Sequence, residues 1–155
     1  MGEFRGRPDG DGRRVCVIVS QFNGMVTERL LEGARDRLRE AGVTDEDVDV
    51  LFVPGAWELA PVAARALDDD YDVVVALGCV VRGETPHFDY ICEAVSRGLA
   101  DLGLRHRTPI AFGVITAETL EQAFERAGGS VGNLGVQAAT AALEMADLYR
   151  LLDER

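Results

Sequence analysis

His87 stands in the run Arg82-Gly83-Glu84-Thr85-Pro86-His87-Phe88-Asp89, in which Thr85 suits a helix N-cap and Pro86 the first helical position. A helix opening there would aim unpaired N–H groups at an anion, ideally a phosphate. His87 would lie in its first turn, where the helix dipole disfavours imidazolium and leaves a neutral ring able to accept a proton. A surface histidine without a role is the plain alternative. The chain has only two histidines and this one sits in a glycine-flanked loop, which favours proton transfer. The other, His106, lies between Arg105 and Arg107 and reads as an ordinary surface residue.

Two further segments set an aromatic beside polar groups: Gln21-Phe22-Asn23-Gly24 and Pro54-Gly55-Ala56-Trp57-Glu58. Phe22 could stack on a planar heterocycle or pack under its own turn. Glu58 could accept hydrogen bonds from sugar-like hydroxyls or only complement the helix that it opens. Trp57 reads as core. Arg126 precedes Gly128-Gly129 at a helix end, placed either for solvent or for a phosphate.

All sixteen basic residues are arginines; there is no lysine. That excludes a Schiff-base lysine, a lysine anchor for pyridoxal phosphate and a P-loop lysine. Cys16, Cys79 and Cys92 form no C-x-x-C pair and are odd in number, so buried free thiols are expected rather than metal ligands or disulfides. No metal and no cofactor is expected.

The elements that would position these residues alternate along the chain. Strands are expected at Val15–Ser20, Val48–Val53, Val73–Val81 and Ile110–Ile115, each a short apolar run. Helical periodicity covers Val26–Ala41, Trp57–Leu67, about Pro86–Leu102, Thr119–Ala127 and about Asn133–Leu152. Thr119 and Gln122 have capping-box spacing. This order implies an α/β fold: a three-layer α/β/α, flavodoxin-like arrangement with a four-stranded parallel sheet. Ligands of such sheets bind at the carboxyl ends of the strands, where all three marked loops fall.

One domain is expected over residues 15–155, after a flexible N-terminal arm over 1–14 that could add a strand to a neighbour. The arm has no apolar core of a signal peptide, and no run approaches the roughly 20 apolar residues of a membrane span. A cytoplasmic location is expected. The net charge of −11 argues against nucleic acid and anionic membranes as partners. An acidic chain without lysine also suits a high-salt cytoplasm, or mere codon bias.

The segments SQFNGMVTERLLEGA, VPGAWELA, ALGCVVRGETPHFDYICEAVSRGL, FGVIT and QAFERAGGSVGNLG together resemble the lumazine synthase family in order and spacing, over nearly all of Val15–Leu152. RGETPHFDY is the most specific of them. The resemblance implies a cofactor-independent transferase that condenses 5-amino-6-(D-ribitylamino)uracil with 3,4-dihydroxy-2-butanone 4-phosphate to 6,7-dimethyl-8-ribityllumazine, the penultimate step of riboflavin biosynthesis. It implies that Phe22 stacks on the pyrimidine and that Ala56, Trp57 and Glu58 bind the same substrate, Glu58 at the ribityl chain. Cys79, Val80 and Val81 would read the ring edge through their backbone. Glu84 and Thr85 would cradle the phosphate, and His87 would transfer protons. Phe112 and Arg126 would complete the site from a neighbouring subunit, Arg126 at the phosphate. A homo-oligomer is implied, a pentamer and in some members an icosahedral shell of twelve pentamers.

One position departs from the family: Leu134 stands where many members carry a lysine, which removes a positive charge beside the anionic substrate. Three other readings compete on the residues. An archaeal-type riboflavin synthase lacks the TPHFD segment present here, and a phosphoacceptor receiver needs acidic strand ends and a lysine. A non-catalytic flavin-binding or shell protein is supported only by Leu134.

Overall fold

The computed structural model describes residues 1–155. Four strands, β1 (Val15–Ser20), β2 (Val48–Val53), β3 (Val73–Val81) and β4 (Ile110–Ala117), form one parallel sheet in the order β2-β1-β3-β4. Between and after them run α1 (Gly24–Glu40), α2 (Leu59–Ala66), α3 (His87–Arg105), α4 (Leu120–Glu125) and α5 (Leu134–Asp153). The expected three-layer α/β/α arrangement is the one found.

The alternation of strand side chains explains the layers. Val15, Val17 and Val19 of β1 face α1 and α5, where Leu30, Leu38, Ala139 and Leu143 complete one core. Cys16 and Ile18 face the other side, where Leu59 and Ala63 of α2 meet Val95 and Leu99 of α3. The inner strands β1 and β3 are buried on both faces, which is why they read as continuous apolar runs. β2 is a sheet edge and is only half-buried, with Phe52 exposed.

Several boundaries differ from the periodicity. α3 begins at His87 with Pro86 as N-cap, and no side chain caps it. The expected N-cap role of Thr85 is therefore incorrect: Pro86 adopts helical angles but lacks an N–H, and its carbonyl receives Asp89 N–H at 3.0 Å. The Ala56–Glu58 stretch is a single 3-10 turn ahead of α2. α4 ends at Glu125, because Ala127–Gly129 pairs antiparallel with Gly132–Asn133 as a small β5–β6 hairpin that the periodicity does not reveal. Thr119 does cap α4, accepting the Gln122 N–H at 3.2 Å, while the Gln122 side chain accepts from Glu118 N–H.

Asn133 joins that hairpin to both long helices of its layer. Its Oδ1 accepts the Gly135 and Val136 N–H groups at 2.8 and 3.3 Å, and its Nδ2 donates to Arg29 O in α1. A cap of this kind contributes about 1 kcal/mol. Gly33 makes room for it: a Cβ there would come within 2.6 Å of the Asn133 amide.

Residues 1–14 carry no helix or strand. The segment lies along its own chain, where Arg7 N–H donates to Asp147 Oδ2 at 2.8 Å and Gly10 N–H to Ala41 O at 2.9 Å. Asp147 is one of only three buried polar side chains. The Arg7 N–H and the Arg150 guanidinium hold its carboxyl below the usual carboxylate range.

Candidate functional site

A cleft of about 450 Å³ opens at the carboxyl ends of β1, β2 and β3. From β1 come Phe22 and Asn23; from the β2 loop come Pro54, Gly55, Ala56, Trp57 and Glu58. β3 supplies Cys79, Val80 and Val81, and the loop and helix after it supply Gly83, Thr85, His87, Phe88 and Ile91. The three marked loops thus converge. Parallel strands that all point one way leave every one of these loops on a single rim.

Two aromatic rings stand free at the mouth. Phe22 is 71% exposed and Trp57 57% exposed. Reading Trp57 as core is therefore a correction: the short 3-10 turn rotates it outward while Ala56 beside it is buried. Free aromatic faces over an apolar floor suit a planar heterocycle. Glu58 spends one oxygen on the Gly55 N–H, at 3.1 Å, and its other oxygen has no partner within the chain. It can accept from a hydroxyl without rearranging.

His87 is the first residue of a 19-residue helix and is exposed on the cleft. Its own N–H and that of Phe88 have no backbone partner, while those of Asp89 and Tyr90 are taken by Pro86 O; the two free donors favour an anion. Thr85 lines the cleft beside them; Glu84 is exposed and is not part of the lining. The helix start is clamped by Arg82, which sequence reasoning missed. Its Nε donates to Glu118 at 2.7 Å, its Nη2 to Asp89 at 3.0 Å, and its backbone N–H to Ala117 O. Its guanidinium also covers the ring of Phe88. Only the fold, which brings Glu118 from the end of β4 beside Arg82, and not sequence spacing, reveals this.

The thiols offer no nucleophile. Burial pushes Cys79 up to about 11 and Cys16 to about 12, and raises Cys92 as well. Cys16 and Cys79 are buried and Cys92 half-buried, all three unpaired. The cleft can hold two reactants, bind an anion and move a proton through His87.

Besides Glu84, two residues of the expected site lie outside it. Phe112, on the edge strand β4, is 44% exposed. Arg126 ends α4, its Nη1 donating to Gln122 O at 3.0 Å, beside a separate hollow of about 170 Å³ that Leu134 also lines. Neither belongs to the cleft of its own chain.

A family model described as 6,7-dimethyl-8-ribityllumazine synthase matches residues 12–150. The curated protein of that name from Aquifex aeolicus (strain VF5) is 50% identical over 154 residues, covering 98% of this chain and 99% of that protein.

Proposed function

The chain belongs to the 6,7-dimethyl-8-ribityllumazine synthase family, a transferase of riboflavin biosynthesis, and from that premise we propose how its residues carry out the condensation. The reaction joins 5-amino-6-(D-ribitylamino)uracil to 3,4-dihydroxy-2-butanone 4-phosphate. Its nucleophile is the amine of the first substrate, so the imine forms between substrates and no lysine is needed.

In this reading the pyrimidine stacks on Phe22, with Ala56 and Trp57 beside it and the free oxygen of Glu58 on the ribityl chain. The backbone of Cys79, Val80 and Val81 reads the ring edge. The phosphate lies at the N-terminus of α3 against Thr85, with the backbone of Glu84 ahead of it. Imine formation releases water, phosphate leaves, and ring closure releases water again. His87 accepts and returns the protons of these steps. Holding two reactants in one cleft supplies much of the acceleration. The observation that carries the reading is the opening of α3, with His87, onto a cleft walled by Phe22 and Trp57.

Arg126 and Phe112 act on the cleft of a neighbouring subunit, which explains their distance from their own. The assembly we propose is a pentamer, and the short Gly128–Gly132 connection supports its further closure into a shell. α3 supports an assembly too: of its 19 residues only Val95 and Leu99 are buried, and Tyr90 is exposed. The single domain spans residues 15–155, with the arm over 1–14 outside it. No helix is long and apolar enough to cross a membrane. We place the enzyme in the cytoplasm, with its acidic, lysine-free surface suited to high salt.

The test mixes both substrates with the enzyme at low and high salt and follows the fluorescent product against the slow uncatalysed condensation. His87→Ala should lower kcat by about 10²-fold or more if His87 moves protons. An unchanged rate would remove His87 from the mechanism.

A further inference from the structure

Phe22 and Asn23 turn the chain from β1 into α1. On one side this turn is tied to the β2 loop, where Phe22 N–H donates to Pro54 O at 2.9 Å. On the other it is tied by a side chain. Asn23 is the one non-glycine residue with a positive φ, 58°. Asparagine tolerates that left-handed region better than most because its short amide can bond nearby. Here the amide reaches across strands instead: Nδ2 donates to Cys79 O at 3.0 Å.

The carbonyl is open because the strands are unequal. β1 and β3 stay in register only as far as Val19 and Leu77, while β3 continues to Val81. Beyond that point the Asn23 amide stands where the next β1 residue would have paired. Strand backbone groups alternate sides, so those of Val81 face the same way as the Cys79 carbonyl and meet no strand. The Arg82 N–H already points the opposite way, to Ala117 O of β4.

We propose that Asn23 is a positioning residue for the pyrimidine substrate: its bond to Cys79 locks the turn that stands the Phe22 ring in the cleft mouth, and by occupying that carbonyl it leaves the Val81 backbone as the edge the ring pairs with. The inference rests on the reading that the pyrimidine stacks on Phe22. Asn23 touches no reacting atom. Without its amide, the ordering of Phe22 would fall to the ligand, and affinity would drop while the bound complex kept its chemistry.

The experiment titrates the assembled enzyme with the fluorescent lumazine product and measures KM and kcat for the uracil. The variants are Phe22→Ala, Asn23→Gly, Asn23→Asp and the Phe22→Ala/Asn23→Gly pair. Asn23→Gly keeps the left-handed turn and removes the amide; Asn23→Asp keeps its size and sets a carboxylate against the carbonyl. Each Asn23 variant should bind lumazine roughly tenfold more weakly and raise KM by a similar factor, with a much smaller fall in kcat. The double variant should bind little worse than Phe22→Ala alone. A residue that only stabilised the fold would lower the melting temperature without this split. Wild-type affinity in Asn23→Gly, with weakened Phe22→Ala, overturns the role of Asn23 and leaves the stacking reading intact. Fully additive losses also overturn it. Unchanged affinity in Phe22→Ala removes the stacking reading, and the proposal with it.

Discussion

The guanidinium carbon of Arg82 stands 4.5 Å from the centre of the Phe88 ring, between the carboxylates of Asp89 and Glu118. One side chain thus ties the end of β3 to the first turn of α3 and to the residue after β4. Each contact is partly exposed, so the stabilisation of each is modest. Their joint effect is to hold Phe88, and the helix start beside it, against the cleft.

Arg82→Gln should therefore lower stability modestly, from the lost cation–π contact and ion pairs together. Urea unfolding measures it. The loss should shrink in strong salt, where the ion pairs of the parent are already screened. A salt-independent loss would mean that packing on Phe88 alone carries the effect.

The placement of His87 in one cleft and Arg126 outside it predicts complementation. Assemblies of His87→Ala or Arg126→Ala subunits alone should be nearly inactive. Unfolded together in equal amounts and reassembled, they should recover about a quarter of the parental activity, because random neighbours restore that share of intact sites. No recovery would place both residues in the same subunit's site.

Leu134 opens α5 next to Arg126, with its N–H on Arg126 O at 2.9 Å. Leu134→Lys adds a cation beside the proposed phosphate partner. KM for the butanone phosphate should fall about tenfold, at a loss of a few tenths of a kcal/mol from a cation at a helix N-terminus. Steady-state kinetics and thermal melting separate the two effects. An unchanged KM would show that the site already has the charge that it needs.

Asp147 predicts an acid-sensitive arm. Its carboxyl is held below its ordinary range by Arg7 N–H and Arg150, so the folded state favours the charged form. The stabilisation is present above the unfolded carboxyl value of roughly 4 and is lost as pH falls through the lower, folded one. Hydrogen exchange at Arg7 and its neighbours should accelerate below about pH 4. In Asp147→Asn that exchange should be faster at neutral pH and less dependent on acid.

The layers of this fold were legible because β1 and β3 are buried on both faces and write that burial as unbroken apolar runs. The site was legible loop by loop, since strand direction alone gathers Phe22, Trp57 and His87 on one rim. What escaped was set by tertiary contacts. The β5–β6 hairpin uses residues that also suit a helix end. Trp57 is exposed through a 3-10 turn that hydrophobic periodicity does not register. Arg82 and Asn23 act through partners 36 and 56 residues away, which no local pattern records.

The step between the end of β1 and the end of β3 has a consequence for how this enzyme can change. A recognition edge made of main-chain groups at Val81 cannot be deleted by substituting that residue. Any residue that keeps the strand extended presents the same donors and acceptors. Drift in side chains there should be silent for substrate choice, and new specificity would have to enter through the loops that overhang the step.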